Sequence, residues 1–194
     1  MPDVHLHTEP SDAALLASVA SGDRAALSAL VHRHWASLFR YTRRMTGDEA
    51  AAEDALQDTF VAVMEHAATF RGESSARAWL YTLARNALRR RARRRVGEPG
   101  PAEVTEDVES LGASAGFGCV STWTRALEDR QEIERALGAL SDDDREVLAL
   151  VDAEGLSIEE ASSSLGVTEA ALKSRLHRAR LRFMAAMRAM GGEA

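Results

Sequence analysis

"SIEEASSSLGVTEAALKSRLHRAR", residues 157–180, is the stretch whose reading decides the fold. Ser157 with Glu160 three residues on forms a capping box, so a helix starts there. Gly166 separates that short helix from a longer one opening at Thr168. Along the longer helix Leu172, Leu176, Ala179, Phe183 and Met187 build one apolar stripe. Lys173, Ser174, Arg175, His177, Arg178 and Arg182 point mainly elsewhere. A short helix, a tight turn and a helix with a basic exposed side make a helix-turn-helix pattern. A second helix of this kind fits the major groove of B-DNA, where Arg and Lys pair with guanine or clamp phosphates. An ordinary helical hairpin with a solvated basic face satisfies the same pattern.

The punctuation continues on the N-terminal side. Ser141 with Asp144 reads as a second capping box, and Gly155 can end the helix it starts. Leu127, Ile133, Leu137 and Leu140 suggest another helix within residues 123–140. Before it, "VGEPGPAEVTEDVESLGASAGFGCVST", residues 96–122, is rich in Gly, Pro and Ser and acidic, which reads as a linker.

Helical patterning resumes upstream of the linker. A helix over about 75–95 carries Trp79, Leu80, Leu83, Ala87 and Leu88 on its apolar face, with Ser74 or Ser75 as N-cap. Its last turns hold Arg89, Arg90, Arg91, Arg93, Arg94 and Arg95. Leu56, Phe60 and Val63 make the stripe of the preceding helix, with Glu53, Asp54, Gln57, Asp58 and Thr59 largely off it. Thr46 or Asp48 caps that helix, and residues 12–46 read as two helices broken at "SGDR".

The arginine cluster has three readings: complement to its own helix dipole, membrane-surface binding, or phosphate binding. The dipole effect fades beyond the last turn and cannot explain so many cations. The apolar side is too weak for a membrane surface, so phosphate binding is the best of the three. The whole chain nevertheless has 24 Lys and Arg against 30 Asp and Glu, a formal net charge of -6. Net negative charge weakens indiscriminate DNA binding while local basic patches grip phosphates.

Other chemistry is not signalled. There is no phosphate loop, nucleophile elbow or metal-spaced His cluster, so an enzyme is not expected, nor a cofactor. His5 and His7 read as residues of a terminus, not as metal ligands. The single cysteine, Cys119, allows no internal disulfide. The N-terminus lacks a signal-peptide pattern, and no apolar run approaches the roughly 20 residues of a bilayer span. A cytoplasmic protein without membrane insertion is expected.

Two stretches resemble a known family. "AEDALQDTFVAVMEHAATFRGESSARAWLYTLARNALRRRARRR", residues 52–95, resembles conserved region two of the extracytoplasmic-function sigma factors of bacterial RNA polymerase. "ALGALSDDDREVLALVDAEGLSIEEASSSLGVTEAALKSRLHRARLRF", residues 136–183, is similar to their region four. The resemblance implies an all-α chain of two small helical domains. These are a region-two bundle over residues 1–95 and a region-four helix-turn-helix over 125–194, joined by a flexible linker over 96–124.

The implied function is to bind core RNA polymerase, direct it to specific promoters and promote DNA melting. Asp54, Gln57, Asp58 and Thr59 would meet the polymerase beta-prime coiled coil, and region four the beta flap. The loop Arg71, Gly72, Glu73, Ser74 and Ser75 would hold a base flipped from the minus-ten element, with Arg77, Asn86, Arg89 and Arg90 facing that element. Thr168, Lys173, Ser174, Arg175, His177, Arg178 and Arg182 would read the minus-thirty-five element. An anti-sigma factor is a further implied partner. Met64, Ala161, Ser162, Ser164, Ala170 and Ala171 depart from the family pattern. A linker of about 27 residues has a root-mean-square span of about 30 Å. Elements two helical turns apart lie about 70 Å distant, so a scaffold must hold the domains in register.

Overall fold

The computed structural model describes residues 9–96 and 130–191. Among these residues every regular element is helical. The arrangement is two helical units packed against each other, in keeping with the all-α expectation.

The first unit holds α1 (Asp12–Ala20), α2 (Arg24–Thr46), α3 (Glu49–His66), a 3-10 turn (Ala67–Thr69) and α4 (Ala76–Val96). Short polar side chains set the helix starts, because each satisfies amide donors that the first turn leaves open. Asp23 accepts from the amides of Ala25 and Ala26. Of the two caps the sequence allowed at 46–48, Asp48 is the one used, accepting from Ala51 N at 2.8 Å. Ser75 likewise caps α4 through Ala78 N at 3.0 Å. Leu30, Leu38, Tyr41, Leu56, Val63, Leu80 and Tyr81 fill the centre of this unit. The rings of Tyr41 and Tyr81 meet edge to face at 5.3 Å.

The second unit holds α5 (Arg130–Gly138), α6 (Asp142–Leu148), α7 (Ile158–Leu165) and α8 (Glu169–Gly191). A π-helical turn, Ala149–Ala153, continues α6 and is closed by Glu154 N donating to Ala149 O at 2.9 Å. Val147, Leu150, Leu156, Leu165, Leu172, Leu176, Ala179 and Phe183 are buried between these helices. The expected stripe of α8 is therefore its core face, with Met187 packed at its edge.

The Ser157–Glu160 capping box is complete, with bonds of 3.1 and 2.9 Å. The expected box at Ser141 is only half made. Ser141 accepts from Asp144 N, but the Asp144 carboxylate turns to Arg182 instead of reaching back. Gly166 has φ +70, a left-handed turn between α7 and α8 that a side chain would strain. Cys119, His5, His7 and Leu127 lie outside the described residues.

Packing joins the two units. α4 lies against α7, and α2 against α6 and the π-helical turn. Their buried apolar residues form one continuous cluster.

Candidate nucleic-acid interface

α7, the turn at Gly166 and α8 build the helix-turn-helix. α7 is seated by Ala161, Ser162 and Ser164, small residues that are all buried, which lets the helix lie close to its neighbours. Thr168 caps α8 through Ala171 N at 3.2 Å. Leu172, Leu176 and Ala179 hold the inner side of α8, so Ser174, His177 and Arg178 stand exposed on its outer side. These three make no ion pair with any described residue.

Four other basic residues of α8 are paired. Lys173 reaches Glu169 at 3.0 Å, and Arg175 reaches Asp143 at 3.5 Å. Arg182 is held by the buried Asp144, and Arg180 by both oxygens of Asp152 at 3.0 and 2.6 Å. That fork raises the Arg180 guanidinium further above its ordinary value, since hydrogen bonding to Asp152 favours the charged form. Ser174, His177 and Arg178 thus offer donors to a ligand, while Arg180 and Arg182 tie α8 to its own unit.

In the first unit, Arg71, Gly72 and Glu73 form an exposed loop with Gly72 at φ +74. Ser74 is half-buried beside it. Behind the loop, Phe70 and Trp79 pack edge to face at 5.6 Å, so Trp79 supports the loop from the core side. Asn86 and Arg89 are exposed on α4 and Arg90 is half-buried. Ser75 and Arg77 are engaged by the second unit. Ser75 Oγ donates to Glu160 Oε1 at 2.7 Å, and Arg77 donates to the carbonyls of Glu154 and Gly155.

On α3, Asp54 and Gln57 are exposed and Asp58 is half-buried. Arg91 of α4 bridges the Asp54 and Asp58 carboxylates, so the acidic side of α3 and the basic end of α4 are tied together. Thr59 departs from the expectation. Its side chain is fully buried and its hydroxyl donates to Ala55 O at 2.7 Å, which places it beneath the surface instead of on it. Beside this acidic face, Trp35 stacks on Phe60 with ring centroids 6.1 Å apart, and Val61 and Met64 are exposed.

The residues that sequence reasoning missed are those joining the units. Glu154 has a side chain only 1% exposed and receives Arg40 at 3.1 Å together with Arg44. Glu146, 7% exposed, accepts from Arg85 Nε and from Tyr41 OH, each at 3.0 Å. Burial and the Glu146 charge push the Tyr41 phenol well above its ordinary value. Burial also pushes the Glu160 carboxyl up. Bonds from the Ser157 amide and Ser75 hydroxyl, with the Arg77 charge, outweigh it and hold that carboxyl below its ordinary value. Nothing in the local spacing distinguishes Glu146 or Glu154 from solvated helix charges, so no sequence signal pointed to them.

Two regions of the chain match known families. Residues 30–97 match Sigma-70 region 2, and residues 130–183 match Sigma-70, region 4. SigM of Mycobacterium tuberculosis, an ECF RNA polymerase sigma factor, is 35% identical over 174 residues, spanning 90% of this chain and 83% of its own. The chain belongs to the ECF sigma factors of the sigma-70 family.

This sigma factor acts in promoter-specific initiation of transcription. The sigma factor CnrH of Cupriavidus metallidurans is 33% identical over 184 residues, covering 93% of this chain and 96% of its own. The solved structure of CnrH with the cytosolic domain of CnrY aligns at a TM-score of 0.67 and 28% identity, over 93% of this chain and 99% of that one. The sigma factor RpoE of Bartonella quintana, solved with the anti-sigma factor NepR, aligns at 0.62 and 27% identity, over 83% of this chain and 96% of that one. Relatives of this kind are regulators of transcription, not catalysts. No helix among the described residues is long and apolar enough to cross a membrane.

Proposed function

We propose that the chain binds core RNA polymerase through α3, reads the minus-thirty-five element with α8, and grips and melts the minus-ten element with the 71–75 loop and α4. The observation that carries this reading is the unpaired face of Ser174, His177 and Arg178 on a second helix fixed by a buried stripe. Lys173, Arg175 and Thr168 border that face. Arg182, held by Asp144, acts as a strut that sets the height of the helix.

Asp54, Gln57 and Asp58 offer an acidic, amide-bearing surface suited to the basic beta-prime coiled coil, with Thr59 supporting it from below. The beta flap is the partner of region four. Melting needs a few kcal/mol of unstacking per base, and a pocket at Arg71, Gly72, Glu73, Ser74 and Ser75 offsets it by holding the extruded base. Arg77, Asn86, Arg89 and Arg90 continue that surface along α4. The functional division runs at residues 1–95, 96–124 and 125–194, and the protein works in the cytoplasm without catalysis or cofactor. An anti-sigma factor restrains it, a reading supported by the two solved relatives.

In vitro transcription from a promoter library, with core polymerase alone and with the chain added, tests the reading. New start sites that depend on the chain are the expected result. Identical start sites in both reactions overturn it.

A further inference from the structure

Of the 24 Lys and Arg residues in the chain, Lys173 alone is a lysine. A lysine amine is a nucleophile that activated acyl groups modify, whereas an arginine guanidinium keeps its proton and does not react in this way. The chain therefore offers one side-chain amine, and the fold places it on α8, the second helix of the helix-turn-helix. Its side chain is 61% exposed and stands clear of the buried stripe of Leu172, Leu176 and Ala179. Its partner is Glu169, one turn earlier on the same helix, with Nζ and Oε2 3.0 Å apart.

We propose that Lys173 is an acylation site through which an activated acyl donor weakens minus-thirty-five binding. The donor is an acyl phosphate or the acyl thioester of a phosphorylated carrier. The inference rests on α8 reading that element. Ser174, His177 and Arg178, exposed on the adjoining outer side of α8, suit the phosphate groups that both donors carry. The ammonium first gives up a proton, with Glu169 Oε2 within hydrogen-bond reach to receive it. The Nζ electron pair then attacks the acyl carbon. The N–C bond forms as the bond from that carbon to phosphate oxygen or thioester sulfur breaks. The leaving group departs with the bonding pair and takes up the second proton lost from nitrogen. The step is a group transfer without oxidation or reduction.

The consequence for charge is specific to this helix. Unmodified, Lys173 and Glu169 form an exposed pair with no net charge. Acylation neutralises Nζ and leaves the Glu169 carboxylate uncompensated beside the face that meets phosphates, so the local field turns repulsive to DNA. An exposed pair of this spacing holds a helix only weakly, and the amide product lies outside the core, so the fold is kept. Arg180 and Arg182, which tie α8 to its own unit, are not open to the same reaction. The modification therefore acts on DNA affinity and leaves the position of the helix alone.

The test uses the full chain as wild type and as Lys173→Arg. Each is incubated with acetyl phosphate or, separately, with acetyl coenzyme A, freed of reagent and combined with untreated core polymerase. Digestion and mass spectrometry map the adduct. Salt titration measures binding to a promoter whose use depends on the chain, before and after treatment, and thermal melting monitors the fold. The expected result is an acetyl adduct at Lys173, with the effective reagent identifying the donor class. The modified wild type binds at least about fivefold more weakly at about 0.15 M salt, the contribution of one released counterion. Its melting is unchanged, and Lys173→Arg binds the same before and after treatment. No adduct at Lys173 from either donor overturns the site. A modified wild type that binds as before, or a Lys173→Arg variant that loses as much on treatment, overturns the switch. Failure of the untreated holoenzyme to bind the promoter is a failure of the functional reading alone, since the adduct map is read without polymerase.

Discussion

Tyr41→Phe isolates a single bond across the junction between the two units. The Tyr41 ring is fully buried and its hydroxyl donates to Glu146 Oε1 at 3.0 Å. Phenylalanine keeps the edge-to-face contact with Tyr81 and removes only that donor. A hydrogen bond to a charged group contributes about 1.5–3 kcal/mol. Arg85 Nε remains on the same carboxylate oxygen, so the loss falls near the lower end, about 1.5–2 kcal/mol. For a chain of this size 1 kcal/mol corresponds to about 2–4 °C, giving a Tm lower by about 3–8 °C.

The pH profile is a second readout of the same variant. The folded-state value of Tyr41 is raised, so its contribution is fully present below the unfolded value near 10 and is lost as pH rises through the folded one. Wild-type stability therefore declines on the alkaline side by an amount the Phe variant lacks. Urea and thermal unfolding of the full chain at pH 7.5 and across the alkaline range measure both effects. A loss under about 0.5 kcal/mol, with identical alkaline limbs, would refute the bond and with it the described seating of Glu146.

Gly166→Ala puts a side chain at φ +70 where nothing lies within 4 Å, so the cost is backbone strain alone, about 1–2 kcal/mol in thermal unfolding. Glu160→Gln acts through a carboxyl held below its ordinary value. Its stabilisation is present above about pH 4.3 and disappears as pH falls through the lower folded value, so wild-type and Gln unfolding curves converge in acid. Arg178→Ala, on the unpaired face of α8, lowers the salt dependence of promoter binding by holoenzyme by about one unit of slope. Its affinity for core polymerase in a competition assay stays unchanged.

Local chemistry was legible in the sequence and distant pairing was not. Ser157, Glu160, Ser75, Gly166 and the α8 stripe were readable because a cap or a periodic apolar face is decided within a few residues. Thr59 misled because its polarity suggested the outer side of α3, whereas its hydroxyl closes onto its own helix and the residue is fully buried. Asp144 misled similarly. A cap and an ion pair compete for its one carboxylate, and Arg182, 38 positions away, takes it. Of the residues expected to meet DNA, Ser75 and Arg77 have partners in this structure that spacing could not reveal. Their present partners belong to a unit separated from them by a stretch without a helical pattern.

The π-helical turn at Ala149–Ala153 governs how this chain tolerates insertions and deletions. One extra residue in that turn delays the helix by about 100° relative to a regular path. Asp152 is thereby aimed at Arg180 within its own unit, while Glu154, two positions later, is delivered across the junction. Removing a single codon there and restoring an ordinary α-helix would leave both units able to fold yet swing the carboxylate away from its arginines. Side chains in this segment are consequently more replaceable than its length.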